Sequence, residues 1–444
     1  MNLVYGVKDK PAFGKLIVFA LQQLLAILAA TIAVPAIVGN GMSQSAALFG
    51  AGVGTIVYLL FTKFRSPVFL GSSFAFLGSM FAAFGGAASV SVGYAGLLFG
   101  AFFAGLVYVV IALVVKFAGV QWINKLMPPV VIGPTVAIIG LSLAGNAISD
   151  SLKGAYDAGA GAYVMTAEVW VSLICALVTL FTVILCSVYG KNMAKLIPFI
   201  IGIAAGYVVA LIFTLIGRAT GNDALKVINF ELFNDMKWIP EFSFIEAFKG
   251  MSAVDGKYIA TIAVAYIPVA FVVFAEHIAD HKNLSTIIGQ DLLEEPGLHR
   301  TLLGDGVGSM LGAFFGGCPN TTYGESVGCV AITKNASVVT ILCTAIIAML
   351  VSFFGPFVTL LATIPSCVMG GVCITLYGFI AVSGLKMLQP VDLNDNRNLF
   401  TASVILIAGI GGMTLKIGSV TLTEIAGALI LGIIVNLVVR RKKN

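Results

Sequence analysis

Helix-length apolar runs recur from one end of this 444-residue chain to the other, and no other feature limits its possible folds so tightly. An apolar run of about 18 residues or more, wound as a helix, crosses a hydrocarbon layer about 30 Å thick. Fourteen such runs can be read, near 16–38, 43–61, 67–84, 92–118, 128–147, 168–188, 194–216, 259–285, 301–316, 319–333, 337–361, 364–385, 399–415 and 420–439. With 59% hydrophobic and only 10% charged residues, the chain carries more apolar surface than a water-soluble core needs. It reads as one all-α polytopic bundle in a lipid bilayer rather than as a soluble domain with an anchor.

The opening "MNLVYGVKDKPAFGK" lacks a charged region followed by a short apolar segment and a small-residue cleavage site, so no removable signal peptide is expected. The seven cysteines are scattered singly and away from the three histidines, which points to neither a disulfide framework nor a zinc site; no cofactor is expected. A net charge of +5 could suggest a nucleic-acid partner, but the placement of the bases excludes one. With a cytoplasmic N-terminus, all 25 Lys and Arg except Lys153, Arg218, Lys226, Lys237, Lys249, Lys257 and Lys416 fall on the cytoplasmic side. The inside set includes Lys63, Arg65, Lys116, Lys125, Lys191, Lys195 and the tail "RRKKN". This bias predicts both termini inside the cell membrane.

The polar connection 217–258 divides the runs into two sets of seven, 1–216 and 259–444. An odd number per half makes the second half enter the membrane from the opposite side, the arithmetic of an inverted repeat. The third run, "SPVFLGSSFAF", and the tenth, "PNTTYGESVGCVAIT", each combine Pro with Ser/Thr, an aromatic and Gly, and are poor uninterrupted helices. Irregular backbone at membrane depth is tolerated where protein or a water-filled cavity satisfies its amides, so a matched pair of broken spans predicts a central binding site.

A carboxylate at the bilayer centre costs about 2.5–3.5 kcal/mol on insertion scales, so acids inside apolar runs are expected to face the bundle interior or a cavity. Glu276, Asp280 and Glu325 are the informative ones. Asp305 and Glu424 are expected to be structural, protonated and bonded to backbone. Glu276 and Asp280, four residues apart in "VVFAEHIADHKNLS", share a helical face about 40° apart. Their mutual repulsion and burial both favour a bound proton on one of them, which makes the pair a candidate coupling site. His277 is expected to be packed, and His281 to serve a relay near the cytoplasmic end. Glu325 follows Tyr323 and Gly324: the glycine allows close approach of a ligand to the backbone, and Tyr323 is placed to flank a flat one. Two acceptor carboxylates, exposed amides and the aromatic Phe74 suit a small planar molecule bearing both N–H donors and C=O acceptors.

The residues that carry this reading also carry a resemblance. The stretch from Ala275 to Ser326, including "EEPGLHR" and "PNTTYGES", resembles the nucleobase/ascorbate transporters, in particular their bacterial uracil permease branch, as do Ser66–Phe76 and Gln22–Pro35. The resemblance covers essentially the whole chain. It implies two inverted seven-span repeats with short β-strands in spans 3 and 10. It further implies a core domain (spans 1–4 and 8–11) that moves against a gate domain (spans 5–7 and 12–14). Glu276 and Glu325 would hold the pyrimidine ring, Gly324 and Phe74 would offer backbone amides, and Ala30 or Thr31 would line the site from the first span. A homodimer is implied as well. The chain departs from the family pattern at Asp280, where some uracil permeases have His, at Ser326, where Asn is usual, and at Gln23, where His is common. The proton-coupling role is therefore left to Asp280, His281 or Glu276 alone.

The leading expectation is a proton-coupled importer of uracil or a similar nucleobase. A purine permease for xanthine or urate in the same family is the close alternative, and an anion transporter on the same fold a more distant one. An enzyme is not expected, because metal-binding, nucleophile-elbow, phosphate-loop and dinucleotide motifs are all missing.

Overall fold

The computed structural model describes residues 3–119, 128–191, 193–234, 236–417 and 420–440; Lys125 and residues 441–444, invoked above for orientation, lie outside them. The chain begins with α1 (Phe13–Val38), α2 (Gln44–Phe61), strand β1 (Leu70–Ser72), a 3-10 helix (Phe74–Phe76), α3 (Leu77–Gly85) and α4 (Val90–Ala118). It continues with α5 (Pro129–Ser142), α6 (Ala144–Ser151), the short strands β2 (Tyr156–Asp157) and β3 (Ala162–Tyr163), α7 (Ala167–Tyr189), α8 (Met193–Leu196) and α9 (Pro198–Thr220). The polar connection holds three 3-10 helices and α10 (Ser243–Gly250). Then follow α11 (Gly256–Ile288), α12 (Leu298–Gly316), β4 (Asn320–Thr322), α13 (Gly324–Thr333), α14 (Val338–Val351), α15 (Gly355–Ala362), α16 (Ser366–Lys386) and α17 (Asn396–Ile410). The chain closes with β5 (Leu415–Ile417), β6 (Val420–Leu422) and α18 (Glu424–Arg440).

Among the described residues, eight helical segments are long and apolar enough to cross a membrane, or nine if a broken pair is counted as one. The protein is thus a mostly helical, multi-pass membrane protein. The apolar run 337–361 is not one helix: it is interrupted after Val351 and restarts at Gly355–Pro356. Pro suits the first turn of a new helix, where its missing N–H removes no bond. Helices α2, α4, α7 and α11 begin where Ser43, Ser89, Thr166 and Asp255 accept hydrogen bonds from otherwise orphaned N–H groups.

The chain groups into two compact units, one of Met1–Ile139, Pro240–Ser352 and Ala381–Asn444, the other of Gly140–Ile239 and Phe353–Ile380. In the second unit, α7 exposes Trp170, Ile174, Phe181, Leu185 and Val188, and α9 exposes Val208, Ile212 and Leu215. Such surfaces are unfavourable in water and are what a helix presents to lipid.

The first unit is drawn together by glycine. Gly304, Gly308, Gly312 and Gly316 recur every fourth residue of α12 and form a ridge against α2. A side-chain carbon at Gly50 would lie 2.3 Å from the Gly312 carbonyl oxygen, and one at Gly308 would lie 2.7 Å from the Gly54 carbonyl oxygen. Backbones can approach this closely only where both helices are bare, the small-residue packing that replaces hydrophobic association in lipid. The polar connection is also folded: Phe244 of α10 stacks on Phe314 of α12, with centroids 4.7 Å apart and planes within 6°.

Candidate functional site

The two irregular segments read from sequence meet in the first unit. β1 and β4 pair antiparallel, with Leu70 opposite Thr322, Gly71 opposite Thr321 and Ser72 opposite Asn320, and all six residues are buried. The main-chain bonds Ser73 N to Pro319 O (2.9 Å) and Tyr323 N to Phe69 O (3.2 Å) extend the pairing at both ends. Each strand runs into a helix start: Phe74 opens the 3-10 helix that leads into α3, and Gly324 opens α13. The first N–H groups of a helix have no partner within it and carry its positive end, so two donor-bearing helix starts are set at the ends of one small sheet.

Gly71 is required by what crosses it. A side-chain carbon there would fall 2.3 Å from the ring of Tyr323, whose hydroxyl donates to the Ser72 carbonyl at 2.7 Å. Tyr323 is only 4% exposed. It therefore clamps β1 to β4 instead of flanking an open cavity, and Thr31, fully buried, donates its hydroxyl to the Ile27 carbonyl at 2.9 Å. Ala30 is buried as well, and Phe74 nearly so.

The carboxylates keep partial exposure. Glu276 and Asp280 on α11 and Glu325 in the first turn of α13 are half-buried. Thr322 of β4 donates its hydroxyl to Asp280 at 2.8 Å. Gly324 is exposed beside this pair: a side-chain carbon there would be 3.8 Å from Asp280 Oδ1. Glu276, Asp280, Gly324 and Glu325 thus keep some exposure, while Phe74, Ala30, Thr31 and Tyr323 are packed inside the protein.

Behind Glu325, Ser326 is fully buried and accepts hydrogen bonds from the Phe69 N–H (2.9 Å) and from the Gln23 side-chain amide. Two residues singled out separately in the sequence, Gln23 and Ser326, are therefore bonded to each other. Together they tie α1, the entry to β1 and the start of α13.

Both histidines of α11 are packed inside the protein. His281 is 1% exposed; its Nδ1–H donates to the His277 carbonyl at 2.8 Å and its Nε2 lies 2.7 Å from the Tyr58 hydroxyl. Both ring nitrogens are engaged, and neither contacts Glu276, Asp280 or Glu325. His277, fully buried, places Nδ1 2.7 Å from Asp305 Oδ2 and Nε2 3.0 Å from the Thr301 hydroxyl. Asp305 is bonded to His277 and not to a backbone group, a pair that sequence reasoning missed. The signal was present in the two residues but not in their separation of 28 positions, which only the packing of both α11 and α12 against α4 converts to contact. Glu424 sits at the start of α18, where the Thr414 hydroxyl donates to it at 3.3 Å. Among the described residues no group of three or more His, Cys, Asp or Glu is arranged to hold a metal ion.

Half-buried acids beside two broken segments, in a chain built of long apolar helices, are the features of a membrane transport protein. Comparison with known proteins agrees: a model of the xanthine/uracil group, described as "Permease family", matches residues 14–418. The chain belongs to this family, the nucleobase/ascorbate transporters. Its relatives include the uracil permease of Bacillus caldolyticus, 41% identical over 98% of this chain and 94% of the relative. The uracil permease of Bacillus subtilis (strain 168) is 40% identical over 99% and 95%, and that of Escherichia coli (strain K12) 34% over 98% and 93%. Among solved structures, the transmembrane domain of the cyanobacterial bicarbonate transporter BicA has a TM-score of 0.63 at 16% identity, covering 98% of this chain and all of that one. The inward-facing murine anion transporter Slc26a9 has a TM-score of 0.65 at 12% identity over 98% and 69%. At such identities the likeness is one of fold.

Proposed function

We propose that this protein takes up uracil across the cell membrane in symport with protons. The observation that carries the proposal is the open cluster of Glu276, Asp280 and Glu325 facing the exposed backbone at Gly324. Uracil bears two N–H donors and two carbonyl acceptors in one plane. Glu276 and Glu325 accept its N–H groups, and the amides at Gly324 and Phe74 donate to its carbonyls. Tyr323, Ala30 and Thr31 act as the wall that fixes these groups. The relatives named uracil permease over nearly the whole chain support the choice of substrate.

Proton coupling follows from the same cluster. Glu276 and Asp280 share one face of α11 and can each carry a proton; coupling requires that the protonated site bind uracil more tightly than the deprotonated one. Because both nitrogens of His281 are engaged, the carried proton is assigned to Glu276 or Asp280. The proposal also includes fourteen spans in two inverted sevens, 1–216 and 259–444, cytoplasmic termini, a core domain moving against a gate domain, and a homodimer. The position of β1 and β4 in the third and tenth apolar runs supports the repeat.

The test is radiolabelled uracil uptake into proteoliposomes with and without an inward proton gradient, in the presence of unlabelled uracil or xanthine. Gradient-driven accumulation displaced by uracil and indifferent to xanthine is expected; displacement by xanthine would make the protein a purine permease. Uptake that only equilibrates would overturn the coupling. An anion substrate is disfavoured, since three carboxylates repel it at close range.

A further inference from the structure

Beside β4, Tyr108 on α4 and Asp305 and Ser309 on α12 line a small void together with Phe76, Val273 and Asn320. Its geometry is set by bare backbone. A side-chain carbon on Gly105 would meet the Gly306 carbonyl at 2.7 Å, and one on Gly306 would meet Tyr108 Cβ at 2.7 Å, so α4 and α12 close tightly beside it. Asp305 and Ser309, one helical turn apart, point from the same face of α12.

Three polar atoms at this void make no hydrogen bond of good geometry within the protein: Asp305 Oδ1, the Ser309 hydroxyl, and the Tyr108 hydroxyl, which has the Thr321 hydroxyl beside it. Their residues are 1%, 4% and 4% exposed. A buried polar group left unpaired costs about 1–3 kcal/mol, so three around one space need a common explanation. The space is small, at the lower limit of what admits a single water molecule. A buried water makes about three hydrogen bonds, the number offered. A hard cation takes about six or more oxygens, whereas half of this wall is Phe76, Val273 and backbone.

We infer that one water molecule is bound here as a fixed part of the protein, donating to Asp305 Oδ1, accepting from the Tyr108 hydroxyl and bonding the Ser309 hydroxyl. With Oδ2 held by His277 and Oδ1 by the water, the Asp305 carboxylate is anchored at both oxygens. His277 adjoins Glu276 in the chain, so the water fixes the seat of the helix that presents Glu276 and Asp280. Tyr108 and Ser309 are positioning residues for that helix, although neither is placed at the open site.

The test is a structure at about 2 Å resolution of the protein and of Ser309→Val, whose extra carbon occupies the void, with melting curves of both and of the isosteric Tyr108→Phe. A single peak within about 3.2 Å of the three oxygens, lost in Ser309→Val, is the expected result. Tyr108→Phe should keep the peak and melt at a lower temperature, which decides the matter if Ser309→Val does not fold. A peak with oxygen ligands at about 2.3–2.6 Å would identify a cation and overturn the inference. So would an empty void with Asp305 Oδ1 bonded to a protein group. None of these readouts depends on which substrate is carried.

Discussion

Glu276 can be retained at membrane depth because it lies beside polar neighbours in a half-open site, and that placement makes its substitution informative. Losing a charge-assisted hydrogen bond to the ring costs about 1.5–3 kcal/mol, so Glu276→Gln should raise the uracil KM roughly ten- to a hundredfold. It should also flatten the pH dependence of uptake; uptake by this variant at the native rate and with the native pH profile would exclude Glu276 from both roles. A second residue-scale prediction concerns Glu246 on α10, outside the membrane spans. The Lys249 ammonium at 2.7 Å, and then the Ser91 hydroxyl, hold its carboxyl below the usual carboxylate range. A lowered folded-state value stabilises the fold above the ordinary value of the unfolded chain and loses that contribution as pH falls through it. Melting temperature should therefore drop on acidification, and Glu246→Gln should be less stable near neutrality with a shallower acid slope.

At the scale of elements, the β1–β4 pair and the α2–α12 contact are the joints on which the site depends. Gly71→Ala forces the Tyr323 ring aside and breaks its bond to Ser72, so folded yield and uptake should both fall. Pairing it with Tyr323→Ala should be less harmful than the sum of the two single changes, because the clash is shared. Gly312→Val attacks the other joint: even the first side-chain carbon would lie 2.1 Å from the Asn320 amide, which bonds the Gly50 carbonyl at 3.2 Å. Loss of folded protein by size-exclusion chromatography is expected. These glycines could be counted in the sequence, but their partners could not. A period of four is as compatible with a flexible helix as with a ridge until the facing helix is known.

For the whole molecule, the proposed symport makes one thermodynamic demand, that accumulation follow the proton gradient. In proteoliposomes a protonophore should reduce internal uracil to the external concentration, leaving equilibrative exchange. Persistent accumulation would require a different driving ion. The membrane class and the helical character were legible at this scale because lipid imposes its demand on every residue of a span. The broken segments were legible because Pro, Gly and Ser/Thr interrupt an apolar helix by local chemistry. The run 337–361 misled because its interruption, "SFFGP", is itself apolar: hydropathy does not register a backbone break. The burial of Tyr323, Thr31 and His281 was not legible, since sequence spacing gives the face of a helix but not what packs on it.

The sequence by itself determined that this chain lives in lipid, that two of its spans are interrupted, and that Glu276, Asp280 and Glu325 need a polar setting. Those are consequences of local composition and of the high cost of exposing charge to hydrocarbon. Only the tertiary structure decided that the two interruptions pair as strands, that Gln23 meets Ser326, and that His277 closes on Asp305. It also decided which acids remain open to a ligand. Each of these joins residues far apart in the chain, and packing at backbone contact between bare helices is what brings them together.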